Sequence, residues 1–127
     1  GLESRGLGDV YKRQVKILSE KVPLQKGTVN NGGSNVYQLS VQNGAKVVMV
    51  AENTNNNNKE FFEFGVIDNG TDIFHTEYGN VRTGEQLIVP TFEKTASGFA
   101  RVNFDIGSSV TAGHNVVVTI VSNINKK

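Results

Sequence analysis

Ala100-Arg101-Val102-Asn103-Phe104-Asp105-Ile106 alternates apolar and polar residues without a break. Successive side chains of an extended strand point to opposite faces. This run therefore predicts a strand with Ala100, Val102, Phe104 and Ile106 turned inward and Arg101, Asn103 and Asp105 turned to water. Downstream, Val116-Val117-Val118-Thr119-Ile120-Val121 is apolar on both sides, which suits a central strand or one that lies in an interface. The same period of two recurs upstream. Eight strands are expected, near 15–22, 35–42, 45–52, 60–67, 72–78, 86–92, 98–106 and 115–122. Turn-forming pairs such as Asn43-Gly44, Asn69-Gly70, Thr83-Gly84 and Ala112-Gly113 punctuate them. No helical stripe is long enough to cross a sheet, so antiparallel pairing is expected throughout.

Two hairpins can be placed in register. Asn-Gly favours a two-residue type I′ turn, and around Asn43-Gly44 such a turn would pair Val41 with Lys46, Leu39 with Val48 and Tyr37 with Val50. Tyr37, Leu39, Val48 and Val50 would then share one face. Around Asn69-Gly70 the same register sets Val66 opposite Ile73, Phe64 opposite His75 and Gly65 opposite Phe74, with Phe61 meeting Tyr78. An aromatic ring lying over a strand glycine covers bare backbone.

Eight short strands at this spacing predict an all-β fold, an eight-stranded antiparallel β-sandwich of jelly-roll type. An immunoglobulin-like sandwich is the alternative; the chain lacks the core Trp and Cys pair often seen there. Leu39, Val48, Val50, Phe64, Val102, Phe104, Val118 and Ile120 are expected in one core, while Phe92 and Phe99 are expected to face outward or to lie at strand ends.

The N-terminus reads differently. Ser4-Arg5-Gly6-Leu7-Gly8-Asp9-Val10-Tyr11-Lys12-Arg13-Gln14 resembles the in-frame translation of a transposase-tagmentation sequencing adapter, with Asp9 to Gln14 matching its mosaic end. The resemblance marks residues 1–14 as a non-native scar and residues 15–127 as the single natural domain, for which no family resemblance is evident. It also implies a metagenomic origin and a missing natural start, the only methionine being Met49. The scar is expected to add nothing to the core.

Discounting that segment changes the charge. Removing Arg5, Lys12 and Arg13, with Glu3 and Asp9, from totals of 13 basic and 12 acidic residues leaves 10 of each. Residues 15–127 then carry no formal net charge, and no electrostatic footprint for nucleic acid or an anionic membrane remains. No apolar run approaches the roughly 20 residues of a membrane helix.

Chemistry is hard to assemble from these residues. There is no cysteine, so thiolate ligands, Cys nucleophiles and disulfides are excluded. His75, in a strand beside Phe64, and His114, in a turn, are expected to be a partly buried strand residue and a solvated one. Two isolated histidines do not supply the three or four ligands of a zinc site. Asp68-Asn69-Gly70-Thr71-Asp72 crowds oxygens as a calcium loop does, but departs from EF-hand spacing and reads as a tight hairpin turn. Glu60 and Glu63 fall on opposite faces of one strand, which does not suit a glycosidase pair. No nucleophile elbow, phosphate loop or dinucleotide fingerprint occurs. The run from Asn53 to Asn58 reads as an exposed polar loop tip. Catalytic, cofactor-binding and metal-binding residues are therefore all expected to be absent.

The expectation is a non-enzymatic structural or interaction module, a decoration- or fibre-type accessory of a phage virion. It should self-associate, preferably as a homotrimer, and could contact other virion proteins or surface glycans. The reason is an excess of apolar strand face, since a two-sheet sandwich has one inner layer and outward positions are normally polar. The alternative is a carbohydrate-binding module of a secreted enzyme.

Overall fold

The computed structural model describes residues 15–95, 98 and 100–125. The expectations for residues 1–14 and for Phe99 lie outside the described residues. Eight strands follow in chain order: β1 (Val15–Gln25), β2 (Val36–Gln42), β3 (Gly44–Asn53), β4 (Lys59–Asp68), β5 (Ile73–Arg82), β6 (Ile88–Lys94), β7 (Ala100–Ile106) and β8 (Asn115–Asn125). All their pairings are antiparallel. They form a β-sandwich of a five-stranded sheet, β1-β8-β3-β4-β5, and a three-stranded sheet, β2-β7-β6.

A jelly roll wraps a long antiparallel ribbon, so that outer strands pair with outer strands and inner with inner. The rungs β1·β8, β2·β7 and β4·β5 follow that wrapping, whereas β3 pairs with β4 and β8, and β6 with β7. The hairpin expected at Asn43-Gly44 does not form. β2 pairs with β7 in one sheet, and β3 lies in the other. The register breaks between Ser40 and Gln42, Gln42 takes a left-handed φ of 51°, and the chain crosses from sheet to sheet. An Asn-Gly pair supplies a tight turn, but both edges of β3 are taken by β4 and β8.

This crossing inverts the expected faces of β3. Val47, Met49 and Ala51 point inward, Val48 is half-buried and Val50 is 44% exposed, correcting the expected Tyr37–Leu39–Val48–Val50 face. Moving a strand by one residue exchanges its two faces, and here the wrong partner had the same effect. Leu39, Phe64, Val102, Phe104, Val118 and Ile120 are buried as expected, and β7 alternates between buried and half-buried as its sequence demands.

Aromatic rings tie the layers together. Phe64 on β4 meets Phe62 edge-on at 5.7 Å, Phe92 on β6 edge-on at 5.4 Å and Phe104 on β7 at 6.2 Å, and Phe104 meets Tyr37 at 6.2 Å. Phe92 thus packs against the core rather than facing outward. Edge-to-face pairs set the positive ring edge against the negative face, adding to what burial alone supplies. One buried acid also links the sheets. Glu60 on β4 accepts a hydrogen bond from Ile88 N at 3.1 Å, at the start of β6, and is paired with the Arg82 guanidinium. A carboxylate can be buried here because both its oxygens have donors.

Candidate association face

The outer face of the five-stranded sheet should be polar in a lone sandwich. Ladder register sets Val81, Phe61, Val50 and Thr119 in one row across β5, β4, β3 and β8. The next row holds Gly79, Glu63, Val48 and Val121, and a further one pairs Phe74 with Ile67. Exposed Val50, Phe61, Ile67, Phe74, Tyr78, Val81 and Val121 thus lie on one side, with Ile17 on β1 beyond them. The polar residues among them partly neutralise one another, Lys46 Nζ lying 3.0 Å from Glu63. Outward positions of a lone sandwich are normally polar, so this many exposed apolar side chains on one sheet face mark it for burial against a partner.

A groove of about 550 Å³ opens at the end of this face, lined by Gly65, Ile67, Phe74, Tyr78, Lys46 and Asn123 among others. Its form follows from the β4–β5 hairpin. Asn69 Oδ1 accepts hydrogen bonds from Thr71 N at 2.9 Å and Asp72 N at 2.8 Å, which makes the turn longer than two residues. The ladder therefore starts at Asp68 with Ile73 and sets Val66 opposite His75, Gly65 opposite Thr76 and Phe61 opposite Val81. This moves the expected partners of Val66 and Gly65 by two residues and that of Phe61 by three. The register then shifts again at Glu63/Phe64, next to Tyr78. Gly65 is covered by an aromatic ring, but Tyr78 does it in place of Phe74. A Cβ on Gly65 would sit 2.7 Å from the Tyr78 hydroxyl, so a larger residue there would push the ring aside.

His75 faces the other side of the sheet. Its exposed ring stacks on Phe92 at 3.9 Å with a 10° interplanar angle, and Phe92 stands between it and Phe64. The partly buried position expected for His75 is corrected accordingly.

The asparagine run is more than the loop tip its composition suggested. Buried Asn53 donates from Nδ2 to Glu85 Oε1 at 3.2 Å and lies 3.1 Å from His114 Nδ1, while its Oδ1 accepts from Asn55 N at 2.9 Å. Asn56 donates to Glu85 Oε1 at 3.0 Å, and Asn58 donates to the other oxygen. Asn55 Oδ1 accepts from Asn115 N at 2.8 Å, joining the loop to β8. Three amides thus clasp one carboxylate. The hydrogen bond from Asn56, with smaller contributions from Asn53 and Asn58, holds the Glu85 carboxyl below its usual range against a desolvation cost. Close approach of Asn58 needs Gly84, where a Cβ would lie 2.5 Å from the amide nitrogen. His114, expected to be solvated, is half-buried within this network.

In the loop from Asp68 to Asp72, the Asp68 and Asn69 side chains bond backbone amides of the turn itself. Asp68 Oδ1 accepts from Gly70 N at 2.8 Å and is paired with Lys94 Nζ at 2.9 Å. Glu60 and Glu63 do fall on opposite faces, one buried and one on the outer side. Among the described residues no three His, Asp or Glu side chains gather as a metal-binding group.

No protein-family model matches the chain, and no curated protein matches it in sequence. Among solved structures its fold is similar to a part of phage tailspike proteins. The tailspike of Acinetobacter phage vB_ApiP_P1 is 16% identical with a TM-score of 0.47 over 84% of this chain. That of Acinetobacter baumannii phage AM24 is 9% identical with a TM-score of 0.48 over 93%. The tailspike gp49 of A. baumannii bacteriophage Fri1, a capsular polysaccharide depolymerase, is 16% identical with a TM-score of 0.42 over 89%. This chain spans 21%, 27% and 18% of their respective lengths.

Proposed function

We propose that the chain is a non-enzymatic structural module that self-associates through the outer face of its five-stranded sheet, as a decoration- or fibre-type component of a phage particle. The supporting observation is the apolar row Val81–Phe61–Val50 with Val121, Ile67 and Phe74 around it. Burial of such a face against copies of itself removes it from water, and closed cyclic symmetry ends the assembly. A trimer is the assembly we favour. Similarity at TM-scores below 0.5 adds nothing to this reading. The virion setting is tested by the genes flanking this one on its contig: capsid, portal or tail genes are expected, and their absence would count against it.

One observation favours a second reading, a carbohydrate-binding module. Tyr78 is 63% exposed in the groove, beside Phe74 and the polar Lys46, Thr76 and Asn123. Aromatic faces of this kind stack on sugar rings. Retention of a monomer on a polysaccharide column, lost in Tyr78→Ala, would move the assignment to this alternative.

A further inference from the structure

The chain contains Asn-Gly at Asn31-Gly32, Asn43-Gly44 and Asn69-Gly70. An Asn-Gly pair can react with itself. The glycine nitrogen attacks the asparagine Cγ, the Cγ–Nδ2 bond breaks, ammonia leaves and a succinimide remains, which water opens to aspartate or isoaspartate. Two forms of help would speed the attack: a base for the glycine N–H and donors for the negative charge that gathers on Oδ1.

The β4–β5 turn holds both in place. Gly70 N–H already donates to Asp68 Oδ1 at 2.8 Å, within reach for proton removal. Asn69 Oδ1 already accepts from two backbone donors, Thr71 N at 2.9 Å and Asp72 N at 2.8 Å, so donors stand ready beside the oxygen on which charge would gather. Lys94 Nζ, 2.9 Å from the same Asp68 oxygen, fixes the carboxylate where it is. Asn69 and Gly70 are exposed, so water can enter. The other two pairs lack this arrangement. Gly44 is buried within β3. Asn31 is exposed and its Oδ1 has a single backbone donor, Gly33 N at 2.9 Å, and among the described residues no carboxylate is hydrogen-bonded to Gly32 N.

We propose that Asp68-Asn69-Gly70-Thr71-Asp72 is a self-deamidating site, with Asp68 as general base and the Thr71 and Asp72 amides as the oxyanion hole. The proton that Asp68 takes from Gly70 N passes to Nδ2, which departs as ammonia. Hydrolysis of the succinimide then sets a new carboxylate between Asp68 and Asp72. Exposure alone would make Asn31 and Asn69 equal, so their difference isolates the turn.

The test incubates the protein at neutral pH in ¹⁸O water and follows label in tryptic peptides by mass spectrometry. Conversion at Asn69 is expected at least about 10-fold faster than at Asn31, the low end for assistance by a placed base being larger still. Asn43 should be slowest. Urea should bring the three rates together. Asp68→Asn, which keeps an acceptor for Gly70 N–H but removes the base, should slow Asn69 at least about 10-fold and leave Asn31 unchanged. Equal rates at Asn69 and Asn31 in the folded protein would overturn the proposal. So would an Asn69 rate indifferent to Asp68→Asn while Asn43 stays slow. The comparison of folded with urea-unfolded wild type stands whether or not the variant folds.

Discussion

Phe104 and Val50 are both apolar strand residues, yet they occupy opposite environments. Phe104 is fully buried between Tyr37 and Phe64, whereas Val50 lies open on the outer face. Phe104→Ala should cost about 3–5 kcal/mol in chemical unfolding, because it leaves a cavity where three rings met. Val50→Ala should cost under about 1 kcal/mol in the dissociated protein, as surface substitutions do. Glu60 provides a further contrast. Its carboxylate is buried and holds both the solvent-exposed Arg82 and the backbone of β6, so Glu60→Ala should cost about 1–3 kcal/mol by leaving the buried Ile88 N–H unpaired. Denaturant melts would check it, and a loss below about 1 kcal/mol would show that water replaces the pair. Phe104 was legible from its alternating neighbours. Glu60 was not, since an acid at an inward strand position reveals its burial only when its distant partners are known.

At the scale of elements, turn chemistry identified where chains reverse but not what they reverse into. Asn69-Gly70 does join two paired strands, with Asn69 Oδ1 lengthening the loop and moving the register by two residues. An even slip keeps each side chain on its face, so Phe64 remained a core residue despite the wrong partner. Asn43-Gly44 instead carries the chain between sheets, because β8, far along the sequence, occupies the edge of β3 that β2 would need. Local signals cannot report that competition. The asparagine clasp was hidden for the same reason: Glu85, Asn115 and His114 reach it from other parts of the chain. Its pH dependence follows from the lowered Glu85 pKa. A depressed carboxyl contributes stability that is present above the unfolded-state value and is lost as pH falls through the folded one. The stability gap between wild type and Glu85→Gln should therefore be open at neutral pH and close below about pH 4, the acidic side of an ordinary glutamate. A gap that stays constant from neutral to acid pH would remove the clasp's electrostatic role.

For the whole molecule, the sandwich was legible because a period of two, repeated eight times with turn residues between, admits few other folds. The strand apolar on both sides was also legible, and the sequence alone placed β8 in the centre of a sheet or at an interface. It is central. What the sequence could not reveal is that the surplus collects on one side, where Phe61, Val81, Ile67, Phe74 and Tyr78 from β4 and β5 join Val50 and Val121. That needs the sheet order, which rests on contacts between distant segments. We propose that further copies of the chain cover this face. Multi-angle light scattering at tens of micromolar on protein lacking residues 1–14 measures it directly, alongside a variant carrying Phe61→Glu and Val81→Glu. A mass two or three times that of one chain is expected, three being favoured, falling to a folded monomer in the variant. A monomer in both, or an assembly unchanged by the two charges, would contradict it.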